Sequence, residues 1–391
     1  MRGLRLPFVL TASAALLWAS PGPGAGIVVD HDDTDITALS ETALSNAKAR
    51  LHIAYGHTSH GSQLATGMTG LVGFADAGGL GLSLPAGFFA WNDGGLGGAL
   101  DLMEGDGYGS GPLDQDCGYY PNWVNETREY LDDPVNSDVN VIIWSWCGQA
   151  SWYTQQDMID DYLAPMNQLE IDYRDVHFVY MTGHLDGGSL TENLHLRNQQ
   201  IRDYCGANGK TLYDFADIES YDPEGNYYGD KLANDNCDYD SDGDGSRDRN
   251  WAVDWQNAHV EGVDWYSCTP AHTQPLNGNR KAYAAWALWA EIAALLDEPI
   301  PGDTDRDGNV DCRDYLTLKG HLGTPGGAEW RHGDFDGDGD VDRADFLALQ
   351  EGFSGSSGGS SPVPEPGALW LLALGFLAAM KRKRRRRIRA D

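Results

Sequence analysis

The sequence predicts an α/β domain whose parallel sheet is covered by helices on both faces. Its short apolar segments are apolar throughout, and they alternate along the chain with segments of helical period. Strands that are buried on both faces have this character. A chain of 391 residues also has room for a second, smaller module beside such a domain.

The individual elements follow from apolar periodicity and from the turn residues that bound each segment. Two segments depart from the pattern: residues 67–113 are Gly-rich and predicted to be irregular, and residues 222–250 are a polar, Asp-rich insertion. The predicted strands are 51–55, 139–144, 176–181 and 211–215. The predicted helices are 36–49, 123–131, 158–170, 193–208 and 280–296.

Residues 1–26 have the composition of a signal peptide. Arg2 and Arg5 precede an apolar stretch at 6–18, and small residues suited to cleavage follow. An apolar run of this length behind arginines at the N-terminus is typical of secretion signals. We therefore expect an exported protein.

The last residues, 363–391, combine a Pro-Glu-Pro motif at 364–366, an apolar run at 367–380 and eight Lys or Arg at 381–389. This ordered trio resembles the PEP-CTERM sorting signal of Gram-negative bacteria. The resemblance implies a single C-terminal membrane segment that anchors the protein transiently in the inner membrane, and processing by an exosortase-type enzyme. Basic residues stay on the cytoplasmic side. A Gly/Ser linker at 354–362 precedes the signal.

The formal net charge of the chain is −32, although ten of its 27 Lys and Arg residues lie in the two terminal signals. So acidic a surface repels nucleic acid and attracts cations, which excludes nucleic acid as a partner class. Because the protein is expected to be exported, we also predict one or two disulfides. The cysteines are Cys117, Cys147, Cys205, Cys237, Cys268 and Cys312.

Residues 299–353 contain two copies of an Asp-rich loop, each followed by an apolar helical run, at 315–322 and 346–353. Each copy has carboxylates at loop positions 1, 3, 5, 9 and 12, a Gly at position 6 and a backbone carbonyl at position 7. Such an oxygen cage suits Ca²⁺. The predicted ligand residues are Asp303, Asp305, Asp307, Asn309, Asp311 and Asp314 in the first loop, and Asp334, Asp336, Asp338, Asp340, Asp342 and Asp345 in the second.

This double loop resembles the dockerin type I module, with Asp instead of Glu at position 12. The resemblance implies a small all-α module that binds Ca²⁺ and a cohesin-like partner. A third Asp run, at 238–244, has the first three ligand positions but Arg249 at position 12. A partial Ca²⁺ loop and a plain acidic loop both stay open for it.

Ser59 lies among Gly and His residues in the segment 55–62, just past the first predicted strand. A nucleophile needs such a tight turn, which exposes its oxygen and turns backbone N–H groups toward a developing oxyanion. The segment resembles block I of the SGNH/GDSL hydrolases, in the form Gly-His-x-Ser-x-Gly. For a domain at 27–298, the resemblance implies a flavodoxin-like α/β/α sandwich and a serine hydrolase.

The resemblance also implies roles for other residues. The family's base precedes the last helix, where this chain has His272. The family's acid normally stands three residues earlier, where Thr269 is found. This departure leaves a Ser–His dyad or an acid from elsewhere, such as Asp264 or Asp254.

The remaining predicted site residues lie at the ends of later strands. Gly148 and Gln149 follow the second predicted strand, where the family has its oxyanion-binding Asn. His184 and Asp186 follow the third strand, on the edge of the sheet where open α/β folds bind ligands. His184 and Asp186 are candidates for binding substrate or for joining the Ser–His dyad, and His57 is a candidate for binding substrate.

Three functions stay open for the large domain. The first is an exported serine hydrolase of an ester, such as an acetyl group on a polysaccharide, with Ser59 as nucleophile and His272 as base. The second is a non-catalytic envelope or matrix protein that binds glycan or protein. The third is a polysaccharide-degrading glycosidase with paired carboxylates, for which no pair stands out. The 13 Trp and 18 Tyr residues suit contact with sugar rings.

Overall fold

The computed structural model describes residues 26–105, 111–296, 300–304 and 310–353. The chain divides into two compact units, Met1–Leu295, called the first or α/β unit, and Leu296–Asp391, called the second or small unit. The predicted signal peptide, the Gly/Ser linker and the sorting signal lie outside the described residues, apart from residue 26. Within the described part, no helix is both long enough and apolar enough to cross a membrane.

The first unit is built on a seven-stranded, entirely parallel sheet with the order β1-β7-β6-β5-β2-β4-β3. Its five inner strands, taken in chain order, run 2-1-3-4-5 across the sheet, which is consistent with a flavodoxin-like core. The predicted parallel α/β fold class is therefore confirmed for this unit. The strands are β1 Val28–Val29, β2 His52–Gly56, β3 Trp91–Asn92, β4 Leu100–Glu104, β5 Val141–Trp144, β6 His177–Met181 and β7 Thr211–Tyr213.

Helices cover both faces of the sheet because successive side chains of each central strand point to opposite sides. Ile53 and Tyr55 pack into one core with helices α1, α2 and α9, whose bounds are given below. Ala54 and Trp144 pack into a second core on the other face. The helices are α1 Glu41–Arg50, α2 Ser62–Asp76, α3 Asn122–Asp132, α4 Gln155–Met158, α5 Ala164–Asp172, α6 Asn193–Asn208, α7 Phe215–Ser220, α8 Trp251–Ala258 and α9 Pro275–Leu295.

The four predicted strands are confirmed to within two residues at each end, and so is the helix at 193–208. The prediction that residues 67–113 are irregular is wrong, because this segment contains the end of α2 together with β3 and β4. Gly94, Gly95, Gly97 and Gly98 adopt positive φ values in the turn before β4. These glycines made the segment look irregular in the sequence, although a strand follows them. The acidic Asp101 within β4 is accommodated by His52 of β2, whose Nδ1 lies 2.7 Å from its carboxylate.

The Asp-rich insertion contains a short antiparallel pair, β8 Asp238–Tyr239 and β9 Arg249–Asn250. Its preceding loop is attached to the loop after β6, because Gly187 N donates to Ala233 O at 3.1 Å and Asp186 forms an isolated antiparallel bridge with Asn234. The insertion therefore lies against the carboxyl edge of the sheet.

All six cysteines are free thiols, so the predicted disulfides are wrong. Cys117, Cys205 and Cys237 are each buried. Cys205 packs in the second core, whereas Cys237 packs with Trp251 in a satellite cluster. Buried cysteines in such positions act as small apolar side chains.

Among the described residues of the second unit there are two α-helices, α10 Cys312–His321 and α11 Arg343–Gly352. Each begins a few residues before the predicted apolar run. Each helix starts with a capping box, formed by Asp311 with Asp314 and by Asp342 with Asp345. A small core that includes Val310, Leu318, Val341 and Leu349 joins the helices to the loops. This repeat agrees with the predicted all-α module.

Candidate active site at the carboxyl edge of the sheet

The candidate site lies where the strand order reverses. After β2 the chain forms β3 and β4 on one side of β2, and it then crosses to β5 on the other side of β2. In open α/β sheets, ligands bind in the crevice at this switch point. The loop after β2 approaches the end of β5 so closely that a Cβ on Gly61 would collide with the Ser145 side chain.

A thiol, an imidazole and a carboxylate form a chain of contacts across this crevice. His60 Nδ1 lies 3.1 Å from Cys147 Sγ, and His60 Nε2 lies 3.0 Å from Asp235 Oδ2. Because an ionised carboxylate only accepts, Nε2 carries the proton and Nδ1 keeps a lone pair toward the thiol. The three groups thus have the connectivity of nucleophile, base and orienting acid.

The environment keeps the His60 imidazole neutral. Burial lowers its pKa to about 4, the hydrogen bond to Asp235 opposes this shift, and the neighbouring imidazoles reinforce it. For Asp235, burial acts to raise the pKa, but the hydrogen bond from His60 and the adjacent imidazoles bring it below its ordinary value. A neutral imidazole beside an ionised carboxylate can accept a proton.

Two further imidazoles stack on His60. The His184 ring lies 3.8 Å away between centroids and 4° from parallel, and the His272 ring lies 4.5 Å away at 17°. His184 Nδ1 donates to Leu185 O at 2.7 Å. The structure therefore gathers one predicted base, His272, and one predicted substrate-binding residue, His184, around His60.

Ser59, the predicted nucleophile, is half-buried beside the same thiol, with its Oγ 3.6 Å from Cys147 Sγ. His272 is exposed and has a positive φ of 62°. Its loop is held by Gln63, whose Nε2 donates to Ala271 O at 2.6 Å. Among the described residues, no hydrogen bond joins Ser59 to His272.

Asp116 connects the loops that follow β2 and β5. Its buried Oδ2 accepts hydrogen bonds from Thr58 Oγ1 at 2.9 Å and from Gln149 Nε2 at 3.2 Å. Burial raises the pKa of Asp116, and these hydrogen bonds partly offset the shift. Gln149, a predicted oxyanion donor, therefore uses its amide for this connection, whereas Gly148 opens a short 3-10 helix, Gly148–Trp152.

The other predicted residues have partners of their own. Both ring nitrogens of His57 are engaged, Nδ1 by Thr58 O and Nε2 by Glu104 at 3.0 Å. Asp186 is exposed and accepts from Gly188 N at 2.9 Å. The two proposed acids, Asp254 and Asp264, pair with Arg249 and with Val260 N.

A buried ion pair holds two of the loops that form the site. Lys281 of α9 and Glu219 of α7 contact each other, and both side chains are fully buried. Glu219 Oε2 also accepts from Leu185 N at 2.8 Å, and Lys281 donates to the Gln63 side chain. The pair thus fixes the loop that carries His184 and the residue that holds the His272 loop.

Three of these residues were not singled out by the sequence: His60, Cys147 and Asp235. His60 lies next to the predicted Ser59, and Cys147 is a strand-end residue directly before the predicted Gly148. The rule that strand ends meet at one sheet edge could have found both residues. Asp235 comes from the insertion, and no local signal separates it from the other Asp residues there.

Three predicted Ca²⁺ ligands of the second loop of the small unit lie close together. Oxygens of Asp334, Asp336 and Asp345 lie within 4.8 Å of one another. Asp334 Oδ1 is buried without a hydrogen-bond partner, as a metal ligand would be. Desolvation and the neighbouring carboxylates raise the pKa of Asp340. These features fit a bound cation; of the first loop, residues 305–309 lie outside the described residues.

Comparison with known families identifies the two C-terminal segments. Residues 301–353 match the family model of the dockerin type I domain, and residues 362–387 match that of the PEP-CTERM protein-sorting motif. Dockerin type I domains bind calcium and imply a cohesin partner, and the sorting motif implies exosortase processing. No curated protein and no solved structure matches the chain. The chain therefore belongs to an exported protein of the cell surface or exterior that carries a dockerin type I domain.

Proposed function

We propose that the α/β unit is an exported hydrolase of acyl esters, with Cys147 as nucleophile, His60 as base and Asp235 as the acid that orients it. The main support for this proposal is that the His60 imidazole contacts both groups, the Cys147 thiol at 3.1 Å and the Asp235 carboxylate at 3.0 Å. Its position at the switch point of the sheet supports this assignment. So does the neutral state of the buried imidazole.

The reaction follows from this geometry. His60 Nδ1 takes the proton from Cys147 Sγ, and the sulfur attacks the ester carbonyl carbon. The C–O bond then breaks, and the departing alkoxide takes that proton from Nδ1, which leaves a thioester on Cys147. Water next gives a proton to Nδ1, and its oxygen attacks the thioester carbon. The C–S bond then breaks, the carboxylic acid departs, and the proton on Nδ1 returns to Sγ. The Gly148 N–H is the candidate donor to the oxyanion.

The serine mechanism implied by the SGNH resemblance is the second candidate. Ser59 Oγ lies 3.6 Å from the same thiol, and His272 stacks on His60, so both belong to the same group of side chains. A rearrangement on substrate binding would be needed to bring Ser59 and His272 together.

An acylated glycan is the substrate class that we propose. Trp152 ends the short helix that begins at Gly148, and its side chain is 79% exposed. An exposed indole on the short helix that directly follows the proposed nucleophile is suited to stacking on a sugar ring. Acetyl groups on a polysaccharide would place an ester beside such a ring.

The test is hydrolysis of p-nitrophenyl acetate and of acetylated xylan by the purified full chain with Ca²⁺ present. We expect Cys147→Ala and His60→Gln each to lower kcat/KM about a hundredfold or more. Ser59→Ala should change it only a few-fold. Cys312→Ala, which alters an exposed cysteine of the small unit, is the matched control.

The opposite pattern, in which Ser59→Ala and His272→Gln abolish turnover and Cys147→Ala does not, would establish the serine mechanism. A folded wild type that turns over neither ester would instead favour the non-catalytic binding function.

A further inference from the structure

We propose that His60, His184 and Asp235 form a binding site for a transition metal ion of the Zn²⁺ type. Each residue offers one ligand atom, and the three atoms lie within 4.8 Å of one another. Both imidazoles are buried, with 7% and 9% of their surface exposed. The site is separate from the Asp-rich loops of the small unit.

His184 has the tautomer that a metal-binding histidine needs. Its Nδ1 donates to Leu185 O at 2.7 Å, and since a carbonyl oxygen only accepts, Nε2 carries the lone pair. A ligating histidine usually donates its other ring N–H to a backbone carbonyl or carboxylate in this way. The Leu185 backbone is in turn fixed by Glu219, which accepts its N–H at 2.8 Å.

The donor set selects the class of metal. Two imidazole nitrogens and one carboxylate oxygen suit Zn²⁺, Co²⁺, Ni²⁺ or Fe²⁺, whereas Ca²⁺ and Mg²⁺ prefer oxygen ligands alone. Three protein ligands also leave a coordination position for water or a small anion. A transition metal would therefore bind here, while Ca²⁺ occupies the loops of the small unit.

The metal and the proposed base reaction exclude each other. A metal on His60 Nε2 displaces the proton that Asp235 accepts, and the neutral ring must then carry its proton on Nδ1. In that state Nδ1 has no lone pair for the Cys147 proton. Metal binding at this site would therefore inhibit the hydrolase reversibly. This consequence rests on the proposed function, whereas the metal-site proposal rests on the three ligand residues alone.

Cobalt binding tests the site directly. The purified full chain is saturated with Ca²⁺ to fill the oxygen sites, and Co²⁺ is titrated while the visible ligand-field absorption is recorded. We expect one Co²⁺ per chain with the strong absorption of a nitrogen-containing, low-coordinate site, displaced by Zn²⁺. His184→Gln and Asp235→Asn should each weaken binding about tenfold or more.

The matched control is His259→Gln, because His259 Nδ1 also contacts a backbone carbonyl, Trp255 O, at 2.8 Å but His259 is not a ligand of the proposed site. It should bind Co²⁺ as the wild type does. No absorption in the Ca²⁺-saturated wild type, or undiminished binding in both folded site variants, would overturn the proposal.

Ester turnover separates the two proposals. If the metal-free protein hydrolyses ester but never binds Co²⁺, the metal site fails and the hydrolase stands. If Co²⁺ binds with the expected variant pattern and the metal-free protein is inert, the metal site stands and the hydrolase fails. If both hold, Zn²⁺ must inhibit turnover and a chelator must restore it.

Discussion

His60 donates its Nε2–H to the Asp235 carboxylate at 3.0 Å across 175 residues of sequence. His60 is placed by the end of β2, whereas Asp235 comes from the insertion before β8. The insertion reaches the site because Asp186 and Gly187 pair with its backbone. The orienting acid of the proposed hydrolase is therefore supplied by a segment outside the sheet.

Asp235→Asn should leave the fold intact and lower kcat/KM about a hundredfold or more, because an amide neither fixes the tautomer of His60 nor stabilises its protonated form. The measurement is steady-state hydrolysis of p-nitrophenyl acetate. Asp242→Asn, an exposed change in the same insertion, should be neutral. Equal rates for the two variants would remove Asp235 from the mechanism.

Lys281→Met should destabilise the α/β unit by about 3–5 kcal/mol, because it leaves the fully buried Glu219 carboxylate without its partner. Urea unfolding measures the free energy. The control is Arg249→Met, which breaks an exposed pair with Asp254 and should cost far less, because water and salt screen that pair. Similar losses for the two variants would show that the buried pair contributes no more than the exposed one.

Removal of Ca²⁺ with a chelator should unfold the small unit, because the cation neutralises carboxylates that otherwise repel one another around Asp334 and Asp345. The α/β unit should keep its separate unfolding transition. Differential scanning calorimetry with and without Ca²⁺ would detect one transition that moves and one that does not. An unchanged small-unit transition would contradict a Ca²⁺-dependent fold.

Acid should destabilise the α/β unit through His177, whose pKa burial lowers from 6.5 to about 4. Between these values the unfolded chain binds a proton that the folded chain does not, so stability is intact above pH 6.5 and falls as the pH drops toward 4. The loss from this group approaches about 3 kcal/mol.

The measurement is the free energy of unfolding at several pH values for the wild type and His177→Phe. The variant also loses the 2.8 Å contact with Thr211 Oγ1, so the change of slope with pH, and not the absolute stability, is the readout. His259→Gln serves as the control substitution. Equal slopes for wild type and His177→Phe would refute this assignment.

The parallel sheet was predictable because β2, β5 and β6 are continuous apolar runs, a pattern that few other structures share. Strand β4 was not predicted because it contains the acidic Asp101. The carboxylate of Asp101 is hydrogen-bonded to His52 on the neighbouring strand, a contact that exists only in the folded sheet. The disulfide prediction was wrong because it rested on export and on the number of cysteines, whereas a disulfide also requires two cysteines whose Cα atoms lie close together.

The site was predictable only in its location. The strand-end rule brings residues 57–62 and 145–149 to one edge, and both loops are indeed adjacent there. Which side chain faces which depends on contacts between distant segments, such as Asp116 with Thr58 and Gln149. The partner of His60 in the insertion could not be foreseen from local sequence, since nothing there distinguishes Asp235.

The central claim is that Cys147 forms the covalent intermediate, and trapping that intermediate tests it most directly. The full chain would be quenched in acid during turnover of an acetyl ester, digested and mapped by mass spectrometry, with Cys147→Ser as a variant in which a slower oxygen ester accumulates. We predict an acetyl group on the peptide that contains Cys147. An acetyl group on Ser59, with Cys147 unmodified throughout turnover, would contradict the claim.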